Sequence, residues 1–200
     1  MLSVTRRQLM RSSAAAAFAL CVPEMWPQAG RVLRDTQQPP ALANGTGVVT
    51  DFLYEIRQSH GYTVECAQAM PEAHYGYRPA PDTRTFGQQM VHIAESVQTI
   101  FEMFIEEKAK PTQVFSEAGQ EAVPSKALVI AKLHENFGYV ERAGLRLGGN
   151  AMENSVPTFG GREMTKRRVL RYLLDHATHH RGQVVVYMRL VGTRPPQYRA

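Results

Sequence analysis

The stretch "VLRYLLDHATHHRGQVVVY", residues 169–187, has the apolar spacing of a long amphipathic helix and contains three of the chain's seven histidines. At about 100° per residue, His176 and His180 lie one turn apart on the apolar face. That face also carries Val169, Tyr172, Leu173, Val184 and Tyr187. The stretch therefore predicts a helix whose core-facing stripe includes two imidazoles.

The apolar spacing is helical from Gly47 onward, and no stretch alternates cleanly enough to predict a strand. Four long helices are predicted, at residues 47–69, 84–108, 124–147 and 163–191. The linkers of about 15 residues suit a bundle with crossover connections better than one with tight hairpins. The sequence therefore predicts an all-α four-helix bundle.

Local signals mark the helix ends. Thr83 or Thr85 is predicted to cap the second helix, after a Pro-rich turn. Pro124 and Ser125 are predicted to begin the third helix, and the Gly148-Gly149 pair to end it.

The N-terminal 43 residues are predicted to form a signal peptide and flexible leader, followed by one domain over residues 44–200. Arg6 and Arg7 precede an apolar run that is about half the roughly 20 residues of a membrane-spanning helix. This arrangement resembles a twin-arginine export signal, which predicts a periplasmic or extracytoplasmic protein without a permanent membrane anchor. The small residues at 41–43 offer a cleavage site.

The basic charge of the chain comes mostly from this leader. Cleavage after Ala43 would remove five Arg and two acidic residues, lowering the formal charge from +5 to +2. The remaining basic run, residues 166–168, is interpreted as a solvated helix face, so no nucleic-acid partner is predicted. The cleaved chain would contain one cysteine, Cys66, which is interpreted as a small buried hydrophobe.

Two imidazoles on an apolar stripe must each find a partner, because an unpaired buried polar group costs about 1–3 kcal/mol. One metal ion satisfies both, since residues i and i+4 of a helix converge on one point. The alternative is two core histidines hydrogen-bonded to neighbouring helices. Zincin protease chemistry is excluded, because Ala177 follows His176 where a zincin has its catalytic Glu.

A third ligand would come from another helix, and three histidines are candidates. His60 and His134 lie on or near the apolar stripes of their helices, whereas His92 points away from the stripe of the second helix. Periodicity alone therefore disfavours His92.

The run "MPEAHYGYRPAPDTRTFGQQMVHIAES", residues 70–96, followed by "HATHHRGQ", residues 176–183, resembles the DinB family. These proteins are four-helix bundles related to the YfiT-like metalloenzymes, and the resemblance extends from about Thr50 to Arg199. It implies a metal triad of one histidine from the second helix and two from the last, which match His92, His176 and His180. Such a site implies that the second helix buries two faces, the second against a cleft or a homodimer partner.

The resemblance implies a metal-dependent hydrolase or transferase that acts on a small molecule through a metal-activated water or thiolate. Some characterised relatives act on low-molecular-weight thiols. Imidazole ligands suit several divalent transition metals, of which zinc and nickel are favoured here. The alternative is a non-catalytic stress-response or binding bundle with a structural or vestigial metal site.

Three further residues are candidates for supporting the ligands. Gln183 could accept a ring N–H and fix the tautomer of a ligand, and His179 is interpreted as a group beside the site. Glu95, one turn from His92, is the nearest candidate carboxylate, although a solvated helix face is the simpler interpretation of this residue.

Overall fold

The computed structural model describes residues 47–112 and 122–198. Its helices are α1 (Gly47–Ala69), α2 (Phe86–Ile100), α3 (Lys126–Gly144) and α4 (Lys166–Leu190). The predicted all-α four-helix fold is confirmed. The predicted leader, residues 1–43, lies outside the described residues.

The helices are not arranged around the bundle in chain order. α1 packs mainly against α3 and α4, and α2 packs against the same two helices. α1 and α2 therefore lie across the bundle from each other, as do α3 and α4. The connections between consecutive helices in these two pairs cross the bundle, as the linker lengths predict.

α2 differs from the other helices because it is buried along its whole length. All 15 residues of Phe86–Ile100 are buried, whereas α1, α3 and α4 each have one buried stripe. The preceding loop covers the start of the helix, where the Tyr75 ring packs edge-on against Phe86 with centroids 5.1 Å apart. Polar side chains on α2 must therefore find partners inside the protein.

A capping box begins α2 at Thr85. The Thr85 hydroxyl accepts a hydrogen bond from the Gln88 backbone N–H at 3.2 Å, and the Gln88 side chain accepts from the Thr85 N–H at 2.9 Å. Of the two predicted caps, Thr85 is therefore confirmed. Thr83 instead donates to the Ala80 carbonyl within the preceding turn.

α2 ends earlier than predicted, and its last turn is wider. Phe101–Ile105 forms a π-helical turn, and Glu107 then adopts a positive φ of 57°. The buried Glu102 side chain fixes the chain that follows, because it accepts hydrogen bonds from Lys108 and from the Thr112 backbone. Burial would raise the pKa of Glu102, but hydrogen bonds, led by that from Lys108, lower it to about 2.

α3 also ends before the predicted boundary. Ser125 caps its start by accepting from the Leu128 N–H, but the helix ends at Gly144, five residues before Gly149. A Cβ at Gly144 would lie 2.8 Å from Leu53 Cδ2, so glycine allows α1 and α3 to approach closely here. Gly148 lies in the loop that follows.

A short hairpin replaces the predicted first turn of α4. β1 (Ser155–Pro157) pairs antiparallel with β2 (Glu163–Thr165), so α4 begins at Lys166. Gly160 and Gly161 have positive φ values of 72° and 73° in the connecting turn, a backbone region that favours glycine. Three-residue strands are too short to give a clear alternating pattern, which is why the sequence does not indicate them.

The core is one continuous cluster of apolar side chains from all four helices. Its largest fully buried members include Leu53, Ile56, Phe86, Phe101 and Phe137. Cys66 also lies in this cluster, as predicted, and burial raises the pKa of its thiol to about 12. Among the described helices, none has the length and apolar character needed to cross a bilayer.

Candidate metal centre

The packing of α2 against α4 brings three imidazoles together. His180 Nε2 lies 3.2 Å from His92 Nε2 and 3.2 Å from His176 Nε2. Each of the three residues offers one nitrogen within 4.8 Å of the other two. We refer to His92, His176 and His180 as the histidine triad.

The spacing of the triad fits one transition-metal ion. At metal–nitrogen bonds of about 2.1 Å, two tetrahedral ligands have nitrogens about 3.4 Å apart, close to the two 3.2 Å distances. Hydrogen bonds within the triad are a poorer explanation. His180 Nε2 carries either one proton or one lone pair, so it cannot bond well to both neighbours. A shared ion satisfies all three nitrogens.

Two amide side chains surround the other nitrogen of His180. Gln183 Oε1 lies 3.0 Å from His180 Nδ1, and Gln89 Nε2 lies 2.6 Å from both of these atoms. If Nδ1–H donates to Gln183 Oε1, Nε2 keeps its lone pair and faces the centre of the triad. Gln183 thus occupies the position predicted for a residue that fixes a ligand's tautomer.

Burial keeps the triad histidines in their unprotonated form. Burial lowers the pKa of His92 to about 3 and that of His176 to about 4, with smaller contributions from neighbouring imidazoles and Arg84. Burial also lowers the pKa of His180. The imidazoles are therefore neutral at neutral pH, the protonation state that a metal ligand needs.

Three residues near the triad were not identified from the sequence. Gln89 lies one turn before His92 on α2, a spacing that could have indicated its position. Ser96 lies one turn after His92, and its Oγ is 3.4 Å from His92 Nε2. Arg84 is half-buried in the loop before α2, and its positive charge lowers the pKa of all three triad histidines.

The other two predicted supporting residues lie in different surroundings. His179 is exposed, and its Nε2 lies 3.3 Å from Gln183 Nε2, on the outer side of that amide. Glu95 is 7% exposed, so the interpretation as a solvated helix face is wrong. Its carboxylate accepts a hydrogen bond from Lys132 of α3 at 2.9 Å. Burial of α2 on all sides, unrecognised in the sequence, explains this difference.

The two alternative third ligands are brought together elsewhere. His60 on α1 and His134 on α3 contact each other, with His60 Nε2 3.1 Å from His134 Nδ1. His60 Nδ1 also lies 2.7 Å from Glu141 Oε1. Neither residue belongs to the triad, which lies on α2 and α4. We refer to His60 and His134 as the histidine pair.

Similar proteins agree with this fold. The chain is 28% identical over 153 residues to the uncharacterized protein YjoA of Bacillus subtilis, covering 76% of this chain and 94% of that protein. The crystal structure of YjoA, described as a DinB-like protein, matches with a TM-score of 0.59 at 22% identity, over 74% of this chain and 98% of that one.

A DinB-like protein from Bacillus cereus gives a similar result. Its crystal structure matches with a TM-score of 0.59 at 21% identity, over 74% of this chain and 95% of that one. At these identities the structures establish the fold. The DinB family profile matches residues 44–200, and the chain therefore belongs to the DinB family.

Proposed function

We propose that this protein binds a divalent transition metal through the histidine triad and uses it in hydrolysis or group transfer on a small molecule. The observation that supports this proposal is the convergence of three neutral imidazole nitrogens from two helices. Imidazole suits zinc and nickel, which we favour, and also copper and iron.

The triad can accept a further ligand besides its three histidines. Among the described residues, three side chains that can bind a metal converge at this site. A structural zinc site that is closed to other ligands has four protein ligands. His176 and His180 are only half-buried, so small molecules can approach from that side. A bound ion would supply Lewis-acid chemistry at its remaining position.

The surrounding residues hold the ligands and set the local charge. Gln183 orients His180 by accepting its Nδ1–H, and Gln89 holds Gln183 by donating to the same Oε1. Both groups are neutral, so neither offsets the charge of a bound cation. Burial, with a smaller contribution from the positive charge of Arg84, keeps the imidazoles unprotonated. These features suit a reactive centre.

A purely structural role for the ion is less well supported. The core cluster includes buried apolar residues from all four helices, and most of it lies away from the triad. Such a bundle can bury its core without an ion, unlike a zinc finger, which is unfolded when its metal is removed.

Metal analysis of protein purified without a His-tag tests the proposal. We expect about one tightly bound ion per chain, and a loss of 10-fold or more in affinity when any triad histidine is changed to Ala. His74→Ala is a matched control, because His74 lies in the short helix Glu72–His74, outside both histidine clusters. Full occupancy in His92→Ala would refute the triad.

We also propose that the protein is exported and forms a homodimer. The support for export is the Arg6-Arg7 pair before a short apolar run. The Arg6→Lys/Arg7→Lys variant should leave the precursor in the cytoplasm, and normal export of this variant would contradict the proposal. The expected second face of α2 does not need a homodimer partner, because α2 is buried within the chain. Sedimentation analysis tests the dimer.

A further inference from the structure

The two imidazoles of the histidine pair lie at a distance that suits a direct hydrogen bond and also suits two ligands of one metal ion. Its two nitrogens lie 3.1 Å apart, on side chains from two different helices. Nitrogens bound to one ion at about 2.0–2.1 Å are about 2.9 Å apart at a right angle and about 3.4 Å apart at the tetrahedral angle. The observed distance falls between these values.

Glu141 prepares His60 as a ligand. Its Oε1 lies 2.7 Å from His60 Nδ1, so the carboxylate accepts the Nδ1–H and leaves the lone pair on Nε2, which faces His134. A carboxylate behind a histidine is a recurring arrangement in metal sites, where it fixes the ring and raises its basicity as a ligand. In the histidine triad this role falls to neutral amides.

Packing fixes the orientation of the His60 ring. The ring stacks on Phe137 with centroids 5.1 Å apart and an interplanar angle of 10°, and Phe137 is fully buried. His134 meets His60 at an interplanar angle of 70°. A ligand held in place before binding loses less side-chain entropy when the ion arrives.

The pair is also accessible. The His60 side chain is 18% exposed, and His134 is exposed. An ion bound there can keep several water molecules, as two protein ligands require. Two imidazoles with water suit a copper or nickel ion, because these ions accept tetragonal nitrogen and oxygen coordination, and Cu²⁺ binds such sites more tightly than zinc does.

We propose that His60 and His134, supported by Glu141, form a second and weaker transition-metal site that prefers Cu²⁺. The site is independent of the proposed function of the triad, with which it shares no residue. It allows the protein to take up a second ion from its surroundings while the triad keeps its own.

Titration of the full chain with Cu²⁺ alone, followed by calorimetry and electron paramagnetic resonance, tests this proposal. We expect two ions per chain, the weaker one with two coupled imidazole nitrogens. His60→Ala and His134→Ala should each weaken this site 10-fold or more, and Glu141→Gln by about 10-fold. His74→Ala should retain both ions.

The two sites can be separated by stoichiometry. The His92→Ala/His176→Ala/His180→Ala variant should retain the weaker ion, and if it does not fold, His134→Ala in the otherwise unchanged chain should still bind one ion instead of two. Uptake of one ion by the unchanged chain would overturn the proposal if His134→Ala retains that ion. Retention of the second ion by both His60→Ala and His134→Ala would also overturn it. Failure of the triad alone would leave the weaker site intact.

Discussion

The histidine triad and the histidine pair both join imidazoles from two helices, but they differ in depth and in what supports them. The triad includes the buried His92, and amides contact His180. The pair lies at the surface, with a carboxylate behind His60. Neutral amides leave the charge of a bound ion undiminished, whereas a carboxylate offsets part of it. This difference agrees with our proposals of reactivity at the triad and reversible binding at the pair.

The largest expected effect concerns acid and the metal-free triad. Its histidines have lowered pKa values in the folded state, so between pH 6.5 and 5 the unfolded chain binds protons that the folded chain does not. The free energy of unfolding should therefore fall as the pH falls, by up to about 1.4 kcal/mol per pH unit for each of His92 and His176.

Urea unfolding of the metal-free protein at several pH values checks this dependence. The His92→Gln variant lacks one of the three triad groups with a lowered pKa, so its slope should be less steep. A flat free energy of unfolding between pH 6.5 and 5 would show that the triad imidazoles are not buried as described.

Metal removal should have the next largest effect. An ion at a hundredfold excess over its Kd stabilises the folded state by about 2.7 kcal/mol, so chelation should lower the Tm. We expect the metal-free protein to remain helical and to unfold cooperatively, because the core is built from apolar side chains of all four helices. Circular dichroism before and after chelation measures both properties. Loss of helical signal at room temperature would instead make the ion structural.

The sequence predicts most of the fold because its helices have clear signals. The apolar stripe identifies α4, and the caps Thr85 and Ser125 mark where α2 and α3 begin. In these helices the local sequence signals agree with the packing. The hairpin and the π-helical turn are not predicted, because three-residue strands and a single wide turn give no periodic pattern in the sequence.

The candidate site is predictable only in part from residue patterns. The spacing of His176 and His180 identifies the α4 half of the triad. His92 does not stand out by periodicity, because a helix buried on every side has no single apolar stripe. The resemblance to DinB proteins selected it instead. The Gln89 contact with His180 depends on how α2 and α4 pack, which no local pattern specifies.

A Gln183 variant tests whether the amide that contacts His180 contributes to metal binding at the triad. Gln183→Ala removes the acceptor for His180 Nδ1–H, and we expect the affinity of the triad for zinc to fall by about 10-fold or more. Glu141→Gln is the matched control, since it changes the support of the histidine pair and leaves the triad intact. Competition with a chromophoric chelator measures both affinities. Equal zinc affinity in the two variants would remove the distinction.

The smallest expected effect concerns Glu141 in the absence of metal. Its contact with His60 lies near the surface, where such pairs contribute about 0–1 kcal/mol. Glu141→Gln should therefore lower the free energy of unfolding by less than about 1 kcal/mol, as measured in urea. A larger loss would show that this contact is part of the structural core.

The complete burial of α2 has a consequence for how the sequence can change over time. On a helix with one buried stripe, accepted substitutions recur on the solvent side about every 3.6 residues. Phe86–Ile100 has no solvent side, so each replacement there must fit existing neighbours. Substitutions along α2 should therefore accumulate slowly and together with changes on α3 and α4. His92 then keeps its position while the sequences of the other helices diverge.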